Sequence, residues 1–299
     1  MKILVTGASS SPGYKTVLEL SARGYDVLAI YNQHDFPDVD RVRKIRLDLT
    51  QFDKVVEFLH QEKPDLIVHM AALGDVDKCE EDRALAWLVN VEVTRVLARQ
   101  ARKLGIPFLY LSTDYVFDGE RGMYREDEPP CPVNYYGLTK LIAEEVVRSM
   151  LDKFLIVRTS AIYGLGPGRP NFGKVLIEKL SKGESVRALV DQYLSPTLNT
   201  MLAKAIAELL EKNVWNEIFH IAGERVSRYE FAIKLAEKFG FDKSKIEPIY
   251  MKDIAWKAKR PRDSSLDTTK ARKLISVEFY SLEKSLDLLY EEYLKSRTA

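Results

Sequence analysis

The chain has 299 residues, 46% hydrophobic and 30% charged, and its 15 glycines and 12 prolines are too few for a collagen-like or low-complexity chain, so fibre and disorder are excluded. Lys and Arg number 45 against 44 Asp and Glu, a net charge of +1, so no global field draws the chain to nucleic acid or an anionic membrane. At about 150 residues per domain the length suits two domains, or one large α/β domain with an added lobe. Cys79 and Cys131 belong to no CxxC or Cys/His cluster, which argues for reduced thiols and against a disulfide framework or a metal site. The start, Ile3-Leu4-Val5, lacks the pattern of a secretory signal, and no apolar run of about 18 residues occurs, so a soluble cytoplasmic protein is expected.

Lys2 to Thr6 is an aliphatic, β-branched run that ends in a Gly/Ser-rich turn, Gly7 to Gly13, after which Tyr14 to Ala22 carries helical spacing. The order repeats: strands are predicted at Tyr25 to Tyr31 and Ile45 to Leu47, a helix at Phe52 to Gln61, and a strand at Asp65 to His69. A helix over Arg83 to Leu104 stops at Gly105, a strand covers Phe108 to Ser112, and a helix from Tyr136 to Leu151 leads into a strand at Phe154 to Arg158. Near-continuous apolar strands alternating with amphipathic helices are what a parallel sheet covered on both faces requires. The predicted fold class is therefore α/β, a Rossmann-type doubly wound parallel sheet with a smaller, mostly helical C-terminal lobe.

The Gly- and Pro-rich loop Gly164 to Pro170 marks the strongest change of composition. Beyond it, helices are predicted at Phe172 to Lys182, Met201 to Lys212 and Tyr229 to Phe239, with a strand-like Ile218 to Ile221. The expected division is a dinucleotide-binding domain over 1–160, to which the chain returns at about 195–225, and a substrate lobe in the remainder of 161–299.

A strand feeding a tight glycine turn and a helix presents free N–H groups and the positive end of the helix dipole to a pyrophosphate. Gly7, Ser10 and Gly13 have the spacing of a G-x-x-G-x-x-G variant with Ser in the middle, where a Cβ and hydroxyl must fit or bond. Ser9 and Ser11 can add hydroxyl contacts, and Pro12 is acceptable in the first helical turn. The competing reading is an ordinary strand-to-helix turn. After the second strand, Ile30-Tyr31-Asn32-Gln33-His34 offers no carboxylate for an adenosine 2′-hydroxyl, and no Arg is near in sequence; NAD or NADP stays open, leaning to NADP. Asp48 and Leu49 stand where an adenine edge and face can be met.

Tyr136 and Lys140, at i and i+4, put a phenol and an ammonium on one helical face, where the charge is expected to lower the phenol's pKa. The pattern is cheap, since Tyr280 and Lys284 repeat it where a solvated amphipathic helix explains it. Position separates the two, because Tyr136 follows a strand ending in Ser112-Thr113, and open α/β sheets bind ligands at that end. A Thr113 hydroxyl there can hold a carbonyl oxygen as negative charge develops, or simply cap a turn.

Thr6-Gly7, Ala71-Ala72, Asn90, Ser112 to Gly119, Tyr136-x-x-x-Lys140 and Arg158-Thr159-Ser160 together resemble the extended short-chain dehydrogenase/reductase superfamily. Within it the chain is most similar to dTDP-4-dehydrorhamnose reductases, through Val76-Asp77-Lys78, Asp191 to Thr197 and Arg260-Pro261-Arg262-Asp263-Ser264. The resemblance implies ketone reduction on a nucleotide-sugar with NAD(P)H. Thr113 would polarise the ketone, Tyr136 donate the proton, Lys140 bind the nicotinamide ribose, and Asn90 support a water linked to Lys140. Cofactor contacts are expected from Gly7, Ser9, Ser10, Ser11, Pro12, Gly13, Asp48, Leu49, Ala71, Ala72, Tyr136 and Lys140. Substrate contacts are expected from Asp114, Asn171 and Arg260, the last paired with phosphate. The partner is the nucleotide-sugar, with neither nucleic acid nor membrane, and a homodimer is left open.

The reductases commonly carry a tryptophan against the sugar where this chain has Ala161, and His69 stands where a small residue or asparagine is usual and is read as structural. Tyr124 to Glu128 and Arg260-Pro261-Arg262 also resemble the regulatory beta subunit of methionine adenosyltransferase, so a binding role is carried beside the catalytic one. A nucleotide-sugar epimerase or dehydratase is the third reading, with Asp114 as the dehydratase acid.

Overall fold

The computed structural model describes residues 1–298. β1 (Lys2–Thr6), α1 (Ser11–Ala22), β2 (Asp26–Tyr31), β3 (Val42–Arg46), α2 (Phe52–Glu62) and β4 (Leu66–His69) come first. Next are α3 (Val76–Glu81), α4 (Arg83–Trp87), a π-helical turn (Leu88–Glu92), α5 (Val93–Leu104), β5 (Phe108–Thr113), α6 (Tyr135–Met150) and β6 (Phe154–Thr159). The rest comprises β7 (Ile162–Tyr163), α7 (Phe172–Leu180), β8 (Val186–Leu189), β9 (Tyr193–Leu194), β10 (Thr197–Leu198), α8 (Asn199–Glu211) and β11 (Glu217–His220). It closes with β12 (Val226–Ser227), α9 (Arg228–Phe239), β13 (Ile246–Ile249), α10 (Thr269–Arg272) and α11 (Leu282–Thr298).

Among the described residues, seven strands form one parallel sheet in the order β11-β6-β5-β4-β1-β2-β3. Both faces of the central strands β1, β2, β4, β5 and β6 are covered, which is why these strands are largely apolar. Ile3 and Val5 of β1 enter a core with Leu20 of α1 and Leu202 and Ile206 of α8, while Leu4 between them enters the opposite core with Leu59 of α2 and Leu97 of α5. A further core joins Leu176 of α7, Val186 of β8, Leu235 of α9 and Leu286 of α11. The strand order reverses between β1 and β4, so their C-terminal ends diverge and leave a crevice, the position where such sheets bind ligands.

Three predicted elements differ in outline. β3 begins at Val42 rather than Ile45; it is an edge strand, and Arg43, Lys44 and Arg46 mask its periodicity. The helix over Arg83 to Leu104 is interrupted by the π-helical turn, where the Thr94 hydroxyl donates to the Asn90 carbonyl (2.7 Å). α11 is not simply solvated, since Leu282, Leu286 and Leu289 bury one face. There Tyr280 meets Arg272 and Lys284 pairs with Glu278, so that Tyr/Lys repeat is structural.

Candidate active site

At the crevice, the chain leaves β1 through Gly7, whose φ of +69° and closeness to Ala71 admit no side chain: a Cβ would lie 2.8 Å from the Ala71 nitrogen. Gly13, one turn into α1, packs on the Gly7 carbonyl, where a Cβ would lie 2.1 Å away. Ser10, in place of the usual middle glycine, caps α1 by accepting from the Gly13 N–H (3.1 Å). A groove of about 570 Å³ runs from this turn to the end of β2, and Gly7, Ser9, Ser10, Asp48, Leu49, Ala71 and Ala72 line it.

Two of the residues assigned to the cofactor face elsewhere. The buried Ser11 hydroxyl accepts from Asn199 Nδ2 (2.8 Å) and ties α1 to α8, and Gly13 shapes the turn without lining the groove. His69 is structural as read. Thr6 Oγ1 lies 2.7 Å from its Nδ1, Thr94 Oγ1 lies 3.0 Å from its Nε2, and burial pulls its pKa down to about 3. Because Thr94 donates onward to Asn90, the network assigns the ring proton to Nε2, and Thr6 donates to Nδ1. The same Thr6 oxygen accepts from the Met70 and Ala71 N–H groups (3.1 and 3.2 Å), which holds the Ala71–Ala72 wall.

The groove shares Ser10, Met70 and Ala72 with a second cavity of about 320 Å³, onto which Pro12, Thr113, Tyr136 and Lys140 converge. Tyr136 sits at the start of α6, capped by Asn134, whose side chain accepts from the Gly137 N–H (2.9 Å). Thr113 ends β5. Its hydroxyl donates to Asp114 Oδ1 (3.0 Å) and accepts from the Tyr115 N–H (3.2 Å). Lys140, one turn beyond Tyr136, donates to the Leu111 carbonyl (2.7 Å) with its ammonium 4.1 Å from the Tyr110 ring centre.

The electrostatics correct one expectation. Burial raises the Tyr136 pKa, opposed by a side-chain hydrogen bond with Thr113, and Lys140 is not among the leading causes acting on it. Desolvation also pulls Lys140 down to about 7, against the attraction of Glu144. The charge expected to acidify the phenol is itself expensive to hold in this enclosure. The Asn90 side chain bridges two segments: its Oδ1 accepts from the Leu73 N–H (2.8 Å) and its Nδ2 donates to Thr139 Oγ1 (3.0 Å), next to Lys140 in the chain.

The three residues assigned to substrate are separated. Asp114 borders the second cavity, but its carboxylate is buried and accepts from Thr113, Ser160 and Ser264. Burial raises its pKa. Asn171 lies outside both cavities: it caps α7, accepting from the Lys174 N–H (3.0 Å) and donating to the Gly164 carbonyl (2.8 Å). Arg260 lines an adjoining cavity of about 290 Å³ with Arg187, Trp256 and Leu189, but is already paired with Asp77 (2.9 Å).

Sequence reading missed Arg228. It lines both the second and the adjoining cavity and donates to Gln192 Oε1 (2.6 Å), with Tyr115 as a further hydrogen-bond partner. Burial lowers its pKa. The signal available was a charged residue directly after the cap Ser227, which reads as an ordinary exposed first turn. Ala161, at φ +40°, forms a small stretch of the wall of the second cavity. A larger hollow of about 740 Å³ lies at the β11 edge, where Lys270 pairs with Glu217 and Arg125 with Asp127; Thr113, Tyr136 and Lys140 are not in its lining. Among the described residues no group of three or more His, Cys, Asp or Glu is placed to hold a metal ion, and no helix is long and apolar enough to cross a membrane.

The model of the RmlD substrate binding domain family matches residues 1–295. The probable low-salt glycan biosynthesis reductase Agl14 of Haloferax volcanii is 34% identical over 294 residues, covering 97% of each chain. A structure of a hypothetical dTDP-4-dehydrorhamnose reductase from Sulfolobus tokodaii is 38% identical, with TM-score 0.84 over 95% of this chain and 98% of that one. That of the Bacillus anthracis dTDP-4-dehydrorhamnose reductase in complex with NADP is 28% identical, with TM-score 0.86 over 97% and 99%. The match spans the residues that line the groove and the second cavity alike, so the chain belongs to the RmlD substrate-binding domain family and is an oxidoreductase of the dTDP-4-dehydrorhamnose reductase type.

Proposed function

We propose that the protein reduces the C4 ketone of a nucleotide-linked 4-keto-6-deoxy sugar, with a nicotinamide dinucleotide bound in the groove and Tyr136 as proton donor. The observation that carries this reading is the convergence of Thr113, Tyr136 and Lys140 on a cavity continuous with the groove above the Gly7 turn. The groove fits a dinucleotide: its volume is that of a small-molecule site, and two obligatory glycines bring backbone and helix N-terminus to its floor. Gly7, Ser9, Ser10, Ala71 and Ala72 would hold the diphosphate side and Asp48 and Leu49 the adenine. Bound there, the cofactor supplies hydride.

The chain's own residues then manage oxygen and proton. Thr113 needs only a rotation about its C–O bond to turn its proton from Asp114 to a ketone oxygen. Burial keeps Tyr136 protonated until a developing alkoxide, a much stronger base, takes the proton. Lys140 is assigned the cofactor ribose. Asp114, enclosed by three hydroxyl donors, is unsuited to the dehydratase role. Purified protein given NADPH and dTDP-4-keto-6-deoxy-L-mannose should lose reduced-nicotinamide absorbance in step with substrate. Tight NADPH binding without turnover of this or related keto sugars overturns the reading.

Two residues set the ligands. At the end of β2 no acid stands ready for a 2′-hydroxyl, whereas Arg46, opposite Tyr31 on β3, donates through Nε to the Asn32 carbonyl (3.2 Å). Sequence distance hid this arginine, and it favours the 2′-phosphate of NADPH. Arg46→Ala should weaken NADPH by about tenfold and NADH by less than about twofold in titrations; equal losses reject the assignment. Arg228, a guanidinium with neutral hydrogen-bond partners at the junction of two cavities, suits the substrate diphosphate better than Arg260. Arg228→Leu should raise KM for the nucleotide-sugar by about 30-fold or more with cofactor Kd unchanged; an unchanged KM refutes it.

A further inference from the structure

Outside the residues already placed, the groove has a second feature over its phosphate-binding turn. The loop between β7 and α7 crosses this turn with Gly168 against it: at φ +89°, a Cβ on Gly168 would lie 3.0 Å from the Ser9 carbonyl oxygen and 3.2 Å from the Ser10 Cα. This contact delivers the next residue, Arg169, to the lining of the groove, beside Gly7, Ser9 and Ser10. Arg169 is 70% exposed and paired with Asp75 at 2.7 Å. Asp75 also caps α3, accepting from the Lys78 N–H (3.1 Å).

We infer that Arg169 is the cation that closes over the diphosphate of the bound dinucleotide and that Asp75 holds it at the rim; the inference rests on the cofactor site proposed above. The α1 N-terminus offers only partial positive charge, and Ser10 already uses the Gly13 N–H. Two phosphate charges therefore call for a side-chain cation, and a planar guanidinium can meet two oxygens at once. An exposed ion pair such as Arg169–Asp75 is weak, so exchange for a phosphate partner in the groove is favourable. The diphosphate is common to NADH and NADPH, so Arg169 acts on both, in contrast to Arg46.

The test is fluorescence titration of wild type, Arg169→Ala, Asp75→Asn and Lys78→Ala with NADPH and NADH, with stopped-flow release rates and thermal midpoints. Arg169→Ala should raise both Kd values by about tenfold, chiefly through faster release, with an unchanged midpoint. Asp75→Asn keeps the helix cap and frees the arginine, and should tighten both nucleotides. Lys78 lines the same groove, and Lys78→Ala should have the smaller effect. Kd values within about twofold of wild type for Arg169→Ala, a loss confined to NADPH, or a larger loss for Lys78→Ala overturns the proposal while the reductase reading stands. Wild-type protein that binds neither nucleotide overturns both together.

Discussion

Tyr136→Phe should lower kcat for ketone reduction by roughly a thousandfold, while the Kd for NADPH stays within about twofold of wild type. The substitution removes one hydroxyl from a ring whose edge-to-face contact with Tyr115 (centroids 5.9 Å apart) does not need it. Fold and groove are therefore kept while the cavity loses the phenol that hydrogen-bonds with Thr113. Burial raises the Tyr136 pKa, so the protonated form required of a donor is held through neutral pH, and loss of activity from this titration belongs on the alkaline side. A kcat within tenfold of wild type would remove Tyr136 from the chemistry and with it the mechanism.

Lys140→Met should make the protein more stable as it inactivates it. The unfolded lysine titrates near 10.5 and the buried one near 7, so between these values the unfolded state binds more protons and stability rises with pH. Below pH 7 both states are protonated and the full penalty is present; the gap corresponds to a few kcal/mol, reduced by the lost bond to the Leu111 carbonyl. Methionine has nothing to desolvate. Its thermal midpoint should exceed wild type by several degrees at pH 6, with the gain shrinking towards pH 10. A variant no more stable than wild type at pH 6, or a gain independent of pH, would show that the ammonium is better solvated than its surroundings imply.

Much of this was legible in one dimension. Runs such as Ile3-Leu4-Val5 and Phe108 to Leu111 announce strands buried on both faces, and strand, glycine turn and helix in that order announce the switch-point groove. The spacing of Gly7, Ser10 and Gly13 is enough to locate the turn, while the cap that Ser10 makes is visible only in the structure. The direction of Ser11, one residue further, is not legible there: whether a helical side chain faces ligand or core depends on what packs behind it, here Asn199, 188 positions away. Asn171 is similar: a cap and a substrate contact call for the same kind of side chain, and only the structure places it at the start of α7.

The sequence by itself determined the layered α/β fold, the turn that approaches a phosphate, and the order in which a hydroxyl, a phenol and an amine reach the ends of the central strands. All of these follow from short-range periodicity and from the fixed direction of parallel strands. Only the tertiary structure decided where the cations stand: Arg260 is paired with Asp77, Arg46 lies opposite Tyr31 on the neighbouring strand, and Arg228 lines two cavities. It also decided that the Tyr136 pKa rises and that of Lys140 falls. The reason is physical: desolvation and ion pairing depend on everything within a few ångströms, and most of that arrives from distant parts of the chain.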